Sequence, residues 1–372
     1  MRWLLFFLPV FLCGLEWQQE SEIASSKAPA AKPEAPLPTP NPPPVPDEKQ
    51  GDLGAFLFHA DFLYWQADEG ELGAGLGLQQ VSNNEFAVSP LHFEFNWNPG
   101  FRIGFGGQFH KHDDWSIKAS WTHLISTANS HEAVKLSSLS PHILVPTVFD
   151  FPALTTFDYR FDWKSRYDVI DLMLQEMFYC TKFLSVEPGF GVCTAWIHQK
   201  VRSGKTAVID TSGNTISVIG QQSMKAHSNF WGIGIRTGVD VRWYILKHFN
   251  LINKLSASFL RGKFHMEELG IIPFQNQQGQ LGTPTGITVS DRVWHNQLNF
   301  EGALGLEWTQ TFSEEKHYLS LAALYEMSYW ADMNRFRGLQ TFGSGNGPPS
   351  FITFLNGGLS FQGLTFNFSF GY

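Results

Sequence analysis

Over most of this chain, large apolar residues recur at every second position. At the C-terminus Leu364, Phe366, Phe368, Phe370 and Tyr372 alternate with Thr365, Asn367, Ser369 and Gly371. An extended strand sends successive side chains to opposite faces, so a period of two means a sheet held between two unlike surroundings. The pattern returns at 230–245, where Trp231, Ile233, Ile235, Val239, Val241 and Trp243 oppose Gly232, Gly234, Arg236, Gly238, Asp240 and Arg242. At 101–110, Phe101, Ile103, Phe105 and Phe109 oppose Arg102, Gly104, Gly106, Gln108 and His110. At 157–169, Phe157, Tyr159, Phe161, Trp163, Tyr167 and Val169 oppose Asp158, Arg160, Asp162, Lys164, Arg166 and Asp168.

A soluble sandwich also alternates, but its polar face is rich in Lys, Glu and Thr. Here that face is Gly-rich with scattered charges of both signs, and the other is aromatic over many strands. Composition agrees: 34 Gly, 34 Phe and 15% aromatics stand beside only 16% charged residues, against about 25% in an average soluble domain. So much apolar surface cannot stay exposed to water. A sheet closed in lipid satisfies both faces and leaves no unpaired edge. No run of about 18 apolar residues occurs beyond the N-terminus, which excludes a helical bundle. The net charge of −8 with no basic block argues against nucleic acid as a partner. The expected fold is all-β: a closed antiparallel transmembrane β-barrel of about ten strands, with up to about fourteen allowed.

Three regions are expected: a signal peptide at 1–20, a Pro-rich disordered linker at 21–50 and the barrel at 51–372. Arg2 precedes an apolar core, Leu4 to Leu12, of export-signal length. Ordinary cleavage between 14 and 26 and lipidation at Cys13 both fit, although Leu12 is bulky for the latter. Residues 27–50 hold nine of the twenty prolines, which favours an extended polyproline II spacer.

Strands are predicted near 55–66, 92–110, 114–126, 157–179, 183–202, 226–246, 249–264, 291–311, 317–331 and 361–372. The links near 111–113, 180–182, 247–248 and 312–316 are tight; those at 67–91, 127–156, 203–225, 265–290 and 332–360 are long. Short periplasmic turns, long external loops and an even strand count are the habit of outer-membrane barrels. Both termini are then periplasmic. The loops at 67–91 and 203–225 leave room for a further hairpin. Trp115, Tyr179, Phe183, Trp243, Phe249, Trp308 and Tyr318 are the expected interfacial aromatics.

Five stretches, taken in order, carry a family resemblance. They are Ala60-Asp61-Phe62-Leu63-Tyr64-Trp65; Asn98-Pro99-Gly100-Phe101-Arg102 with His112-Asp113-Asp114-Trp115; Tyr167-Asp168-Val169-Ile170-Asp171-Leu172; Phe230-Trp231-Gly232-Ile233-Gly234; and Gln362-Gly363-Leu364-Thr365 leading to Tyr372. Together they resemble the major outer-membrane protein family of Legionella and Chlamydia-related bacteria over about 55–372. The resemblance implies an abundant, pore-forming outer-membrane protein. The Pro-rich arm departs from that family.

Residues able to do chemistry are few. His110, His112, Asp113 and Asp114 include metal-ligand types but lie on a predicted tight turn. Gly73 to Gly77 has no strand-then-helix setting and reads as loop, not a phosphate cradle. There is no nucleophile elbow, although Ser116, Ser120, His123 and Ser185 could share a wall. No catalytic, metal or cofactor residue is assigned, and no enzyme activity is expected. Lumen-lining charges are expected at Arg102, Lys118, Arg160, Asp162, Lys164, Arg166, Asp168, Arg236, Asp240, Arg242, Glu301 and Glu307. They line a constriction with a transverse field, or neutralise one another in a closed barrel.

The expected function is therefore passive diffusion of small hydrophilic solutes through a porin-like lumen. The alternative is a closed structural or adhesive barrel whose loops bind an envelope or host partner. Expected partners are outer-membrane lipid, small solutes and the barrel assembly machinery, which would read Phe370 and Tyr372; a homo-oligomer is allowed. Cys180 and Cys193 fall at a turn and about eleven residues up a strand, roughly 35 Å apart. That excludes an intrachain disulfide and leaves Cys180 free to cross-link.

Overall fold

The computed structural model describes residues 56–70, 72, 75–82, 85–91, 93–109, 115–133, 142–145, 149–150, 155–210, 216–272, 285–312, 317–340, 351–354 and 357–372. The expected signal peptide, the Pro-rich linker and the turn at 110–114 lie outside these residues.

Ten long strands follow one another. They are β1 (Phe56–Glu69), β2 (Trp97–Gln108), β3 (Trp115–Ala133), β4 (Thr155–Glu176), β5 (Leu184–Asp210), β6 (Ile216–Tyr244), β7 (Phe249–Ile272), β8 (Thr285–Phe312), β9 (His317–Trp330) and β10 (Leu359–Gly371). Each pairs antiparallel with the next. β10 pairs back onto β1 from Leu57↔Gly371 to Glu69↔Leu359, which closes the sheet. Two backbone hydrogen bonds between Phe56 and Tyr372, of 2.7 and 2.9 Å, finish the seam. The barrel is all-β, antiparallel and ten-stranded, at the lower end of the expected ten to fourteen.

The strands differ in reach. About ten residues cross a band roughly 25 Å tall at the usual tilt, yet β6 has 29 residues. The extra length of β3 to β8 projects past that band at the end of the long connections. Among the described residues of 203–225 no added barrel strand occurs: 203–210 extend β5 and 216–225 extend β6, paired antiparallel. The region 67–91 does hold a hairpin, Gly75–Ser82 with Glu85–Leu91, joined by His142–Val145 in a separate small sheet. Gly75 to Gly77, expected as loop, therefore lie on a strand.

Within the band the outer face is apolar. Phe62, Phe105, Phe190, Ile235, Phe300 and Phe368 are 42 to 70% exposed, an arrangement suited to hydrocarbon alone. Tyr179, Phe183 and Phe249 are exposed at the short-turn end. Tyr318, expected with them, turns inward instead: it pairs with Gly371, on the face opposite to the outward pair Leu319↔Phe370. Cys180 is exposed, Cys193 is buried, and the two are unbonded.

On β4 the alternation changes phase. Ile170 and Leu172 face outward, 44 and 46% exposed, but Phe161, Trp163, Tyr167 and Val169 are buried inside at 0 to 2%. Arg160, Asp162, Lys164, Arg166 and Asp168 consequently lie on the outer face, not in the lumen. The reason is height. Above the apolar band the outside is polar, so the strand can turn its aromatics inward to fill the barrel and its charges outward.

Candidate functional site

Side chains on non-neighbouring strands can meet only through the lumen, which makes such contacts a map of its interior. Nearest the short turns, Lys118 of β3 binds Glu187 of β5 at 2.7 Å, with the Ser116 hydroxyl donating to the same carboxylate at 3.2 Å. Arg242 of β6 binds Glu307 of β8 at 2.9 Å, and Glu307 also accepts from Ser320 at 2.7 Å and from Asn250 at 3.1 Å. Higher up, Arg102 of β2 binds Asp61 of β1 and Glu326 of β9, each at 3.0 Å. Arg236 of β6 lies 3.4 Å from Asp171 of β4 and also binds Glu301 of β8. Asp240 and Lys254 are directly paired and share this inner face.

Among the described residues this belt holds five cations (Arg102, Lys118, Arg236, Arg242, Lys254) and seven carboxylates (Asp61, Asp171, Glu187, Asp240, Glu301, Glu307, Glu326). Arg102, Lys118, Arg236, Asp240, Arg242, Glu301 and Glu307 are the sequence-derived positions that it brings together. Asp61, Asp171, Glu187, Lys254 and Glu326 were missed. For the four acids the signal was a lone charge between apolar neighbours, as in Val186-Glu187-Pro188 and Tyr325-Glu326-Met327; Lys254, which follows Asn253, carries no such mark.

Above the belt the lumen is filled by rings. Tyr167 of β4 and Trp330 of β9 meet edge to face with centroids 6.0 Å apart, although β4 and β9 are diametrically opposed in the ten-strand order. Phe361 of β10 packs 4.7 Å from Tyr167, and Phe230 of β6 packs 6.4 Å from Trp330 and 4.8 Å from Phe264. All five rings are at most 2% exposed. Gly232 and Gly262 flank Phe230; a Cβ at either would lie 2.6 Å from Cζ of that ring, so the wall stays bare to admit it. Arg102 stacks 5.7 Å over Trp65, tying the belt to this layer.

The mouth beyond the rings is occupied by the chain after β9. Asp332 adopts a left-handed φ of 48°, which Asp tolerates better than most residues. Met333, Asn334 and Phe336 are then buried, at 0 to 1%. The Asn334 amide donates to the Gly70 carbonyl at 2.9 Å, the Arg337 backbone N–H donates to Glu268 at 2.8 Å, and Arg337 pairs with Asp291. Near the mouth Gln199 donates to Glu69 across the lumen.

The residues weighed for catalysis are not brought together. Ser116 and Ser185 face the lumen, bonded to Glu187 and Tyr244, and Ser120 lies on their face. His123 sits on the outer face against Asp168, at 2.7 Å. The turn with His110, His112, Asp113 and Asp114 lies outside the described residues.

The family described as Legionella pneumophila major outer membrane protein precursor matches residues 45–371. No curated protein matches the chain. Among solved structures, the outer membrane protease OmpT of Escherichia coli is 10% identical with a TM-score of 0.39, covering 88% of this chain and 99% of its own. The toluene transporter TodX of Pseudomonas putida is 8% identical with a TM-score of 0.23, covering 87% of this chain and 90% of its own.

Proposed function

The chain belongs to the Legionella major outer membrane protein family, and on that premise we propose that it is a porin-like barrel passing small hydrophilic solutes along the charged belt of its lumen. The supporting observation is the belt itself. Packing alone does not call for twelve ionisable side chains on one inner wall, whereas a hydrated passage does. Each cation is matched by a carboxylate on the wall, so the belt is polar without a large net barrier of either sign. Two more carboxylates than cations favour small cations.

In this reading the long connections face the cell exterior and both termini the periplasm, following the general habit of such barrels. Phe370 and Tyr372 serve as the signal for the barrel assembly machinery, and Cys180 is available for cross-linking at the periplasmic end. The role needs no covalent chemistry.

Passage depends on the aromatic layer parting. That layer favours a second reading, a barrel kept shut whose external loops bind an envelope or host partner. Swelling of proteoliposomes in small sugars and amino acids separates the two. The porin reading expects slow swelling with the native protein and several-fold faster swelling with Trp330→Ala. No swelling with either protein leaves only the shut barrel.

A further inference from the structure

The charges that β4 turns outward do not stand alone. Neighbouring strands carry further cations at the same height, just above an aromatic row formed by Trp196, Trp231 and Trp294. Strand register places them face to face: Lys164 of β4 is directly opposite Lys200 of β5, and Arg202 of β5 is directly opposite Lys225 of β6. Like charges at opposed positions destabilise a sheet. Asp162, opposite Arg202, and Asp168, bound to Arg166 at 2.8 Å, are the acids on this part of β4. Among the described residues, Lys164, Lys200, Arg202 and Lys225 form no ion pair.

The height is informative. Lys164 and Lys200 lie four residues above the row of Asp168, Trp196 and Trp231, roughly 10 Å for a strand tilted near 40°. An aromatic row marks the membrane–water interface, the headgroup layer reaches about 5–8 Å beyond the hydrocarbon, and long lysine and arginine side chains reach down into it from just above. We infer that this outward patch of β4, β5 and β6 is a binding site for the phosphate groups of a phosphorylated outer-leaflet lipid. Phosphate between the opposed cations turns two repulsive pairs into bridged ones, and guanidinium and ammonium groups both suit it. The leaflet rests on the orientation proposed above; the site does not depend on conduction.

The test uses the refolded full-length protein in phosphatidylcholine nanodiscs, with diphosphoryl lipid A as the lipid probe and inorganic pyrophosphate as the free one. The native protein should retain diphosphoryl lipid A in native mass spectrometry and should retain the dephosphorylated lipid far less. Combining Lys164→Ser, Lys200→Ser, Arg202→Ser and Lys225→Ser should weaken retention several-hundred-fold, at roughly five-fold per cation. Lys182→Ser with Lys247→Ser, at the short turns, should leave retention unchanged. Folding is read separately from heat modifiability. In phosphatidylcholine alone, Lys200→Thr should melt no lower than the native barrel, since it removes a repulsion; with lipid A present the order should reverse. Equal retention of the dephosphorylated lipid, undiminished retention by the folded combined variant, or no reversal with Lys200→Thr overturns the assignment. Stabilisation by pyrophosphate equal to that by lipid A assigns the site to free phosphate instead and equally overturns it.

Discussion

Phe368 and Asn367 are adjacent on β10 and face different solvents, so an arginine placed at each in turn tests the wall directly. Phe368 is 42% exposed on the outer face, paired with Ala60 and Leu321. It lies four residues from the chain end, roughly 10 Å into a band about 25 Å tall, close to mid-depth. An arginine facing lipid there costs about 2–4 kcal/mol, a factor of about 30 to 1,000 in the folded-to-unfolded ratio. Asn367 points into the lumen, where its amide donates to Asp61 beside the Arg102–Glu326 pair. Asn367→Arg meets carboxylates and should cost far less, with crowding against Arg102 as its main penalty. The assay is urea titration of refolded protein in lipid, read by the heat-modifiable gel shift. Equal midpoints for Phe368→Arg and Asn367→Arg would refute the assignment of faces.

Further outcomes follow from the same contacts. Deleting Phe370 to Tyr372 removes the Phe56–Tyr372 hydrogen bonds of the seam and should leave export intact while abolishing insertion; fractionation of membranes checks this. Arg236→Met strands Asp171 and Glu301 without their shared cation and should lower stability by roughly 3 kcal/mol, as loss of one partner from a buried pair does, measured by the same titration. Cys180 should react with a water-soluble maleimide in the folded protein while Cys193 reacts only after unfolding, as their exposure requires; peptide mapping reads the two sites.

The barrel was legible because lipid imposes period two on every strand that crosses it, and all ten strands were placed from alternation and connection length. What alternation could not give was the sign of a face. On β4 the apolar set moves from odd to even positions at Val169-Ile170, two apolar residues in succession. That slip was the available clue that Arg160 to Asp168 stand above the band and outside the wall. The aromatic layer was hidden for another reason: Tyr167, Phe230, Phe264, Trp330 and Phe361 come from five strands. Only closure brings them together, and no strand taken singly distinguishes a ring facing lipid from one facing the opposite wall. Where glycines alternate with a charge, as around Arg236, the sequence pattern points it to the inner face; a single acid among apolar residues, as at Asp61, carries no such sign.

The central claim is that the charged belt carries solutes when the rings above it part. Single-channel recording of the refolded native protein in a planar bilayer, under a potassium chloride gradient, tests it most directly. The account expects small, infrequent conductance steps whose reversal potential favours potassium over chloride, and longer openings for Trp330→Ala. A bilayer that stays silent with both proteins, while both show the heat-modifiable shift of a folded barrel, contradicts it.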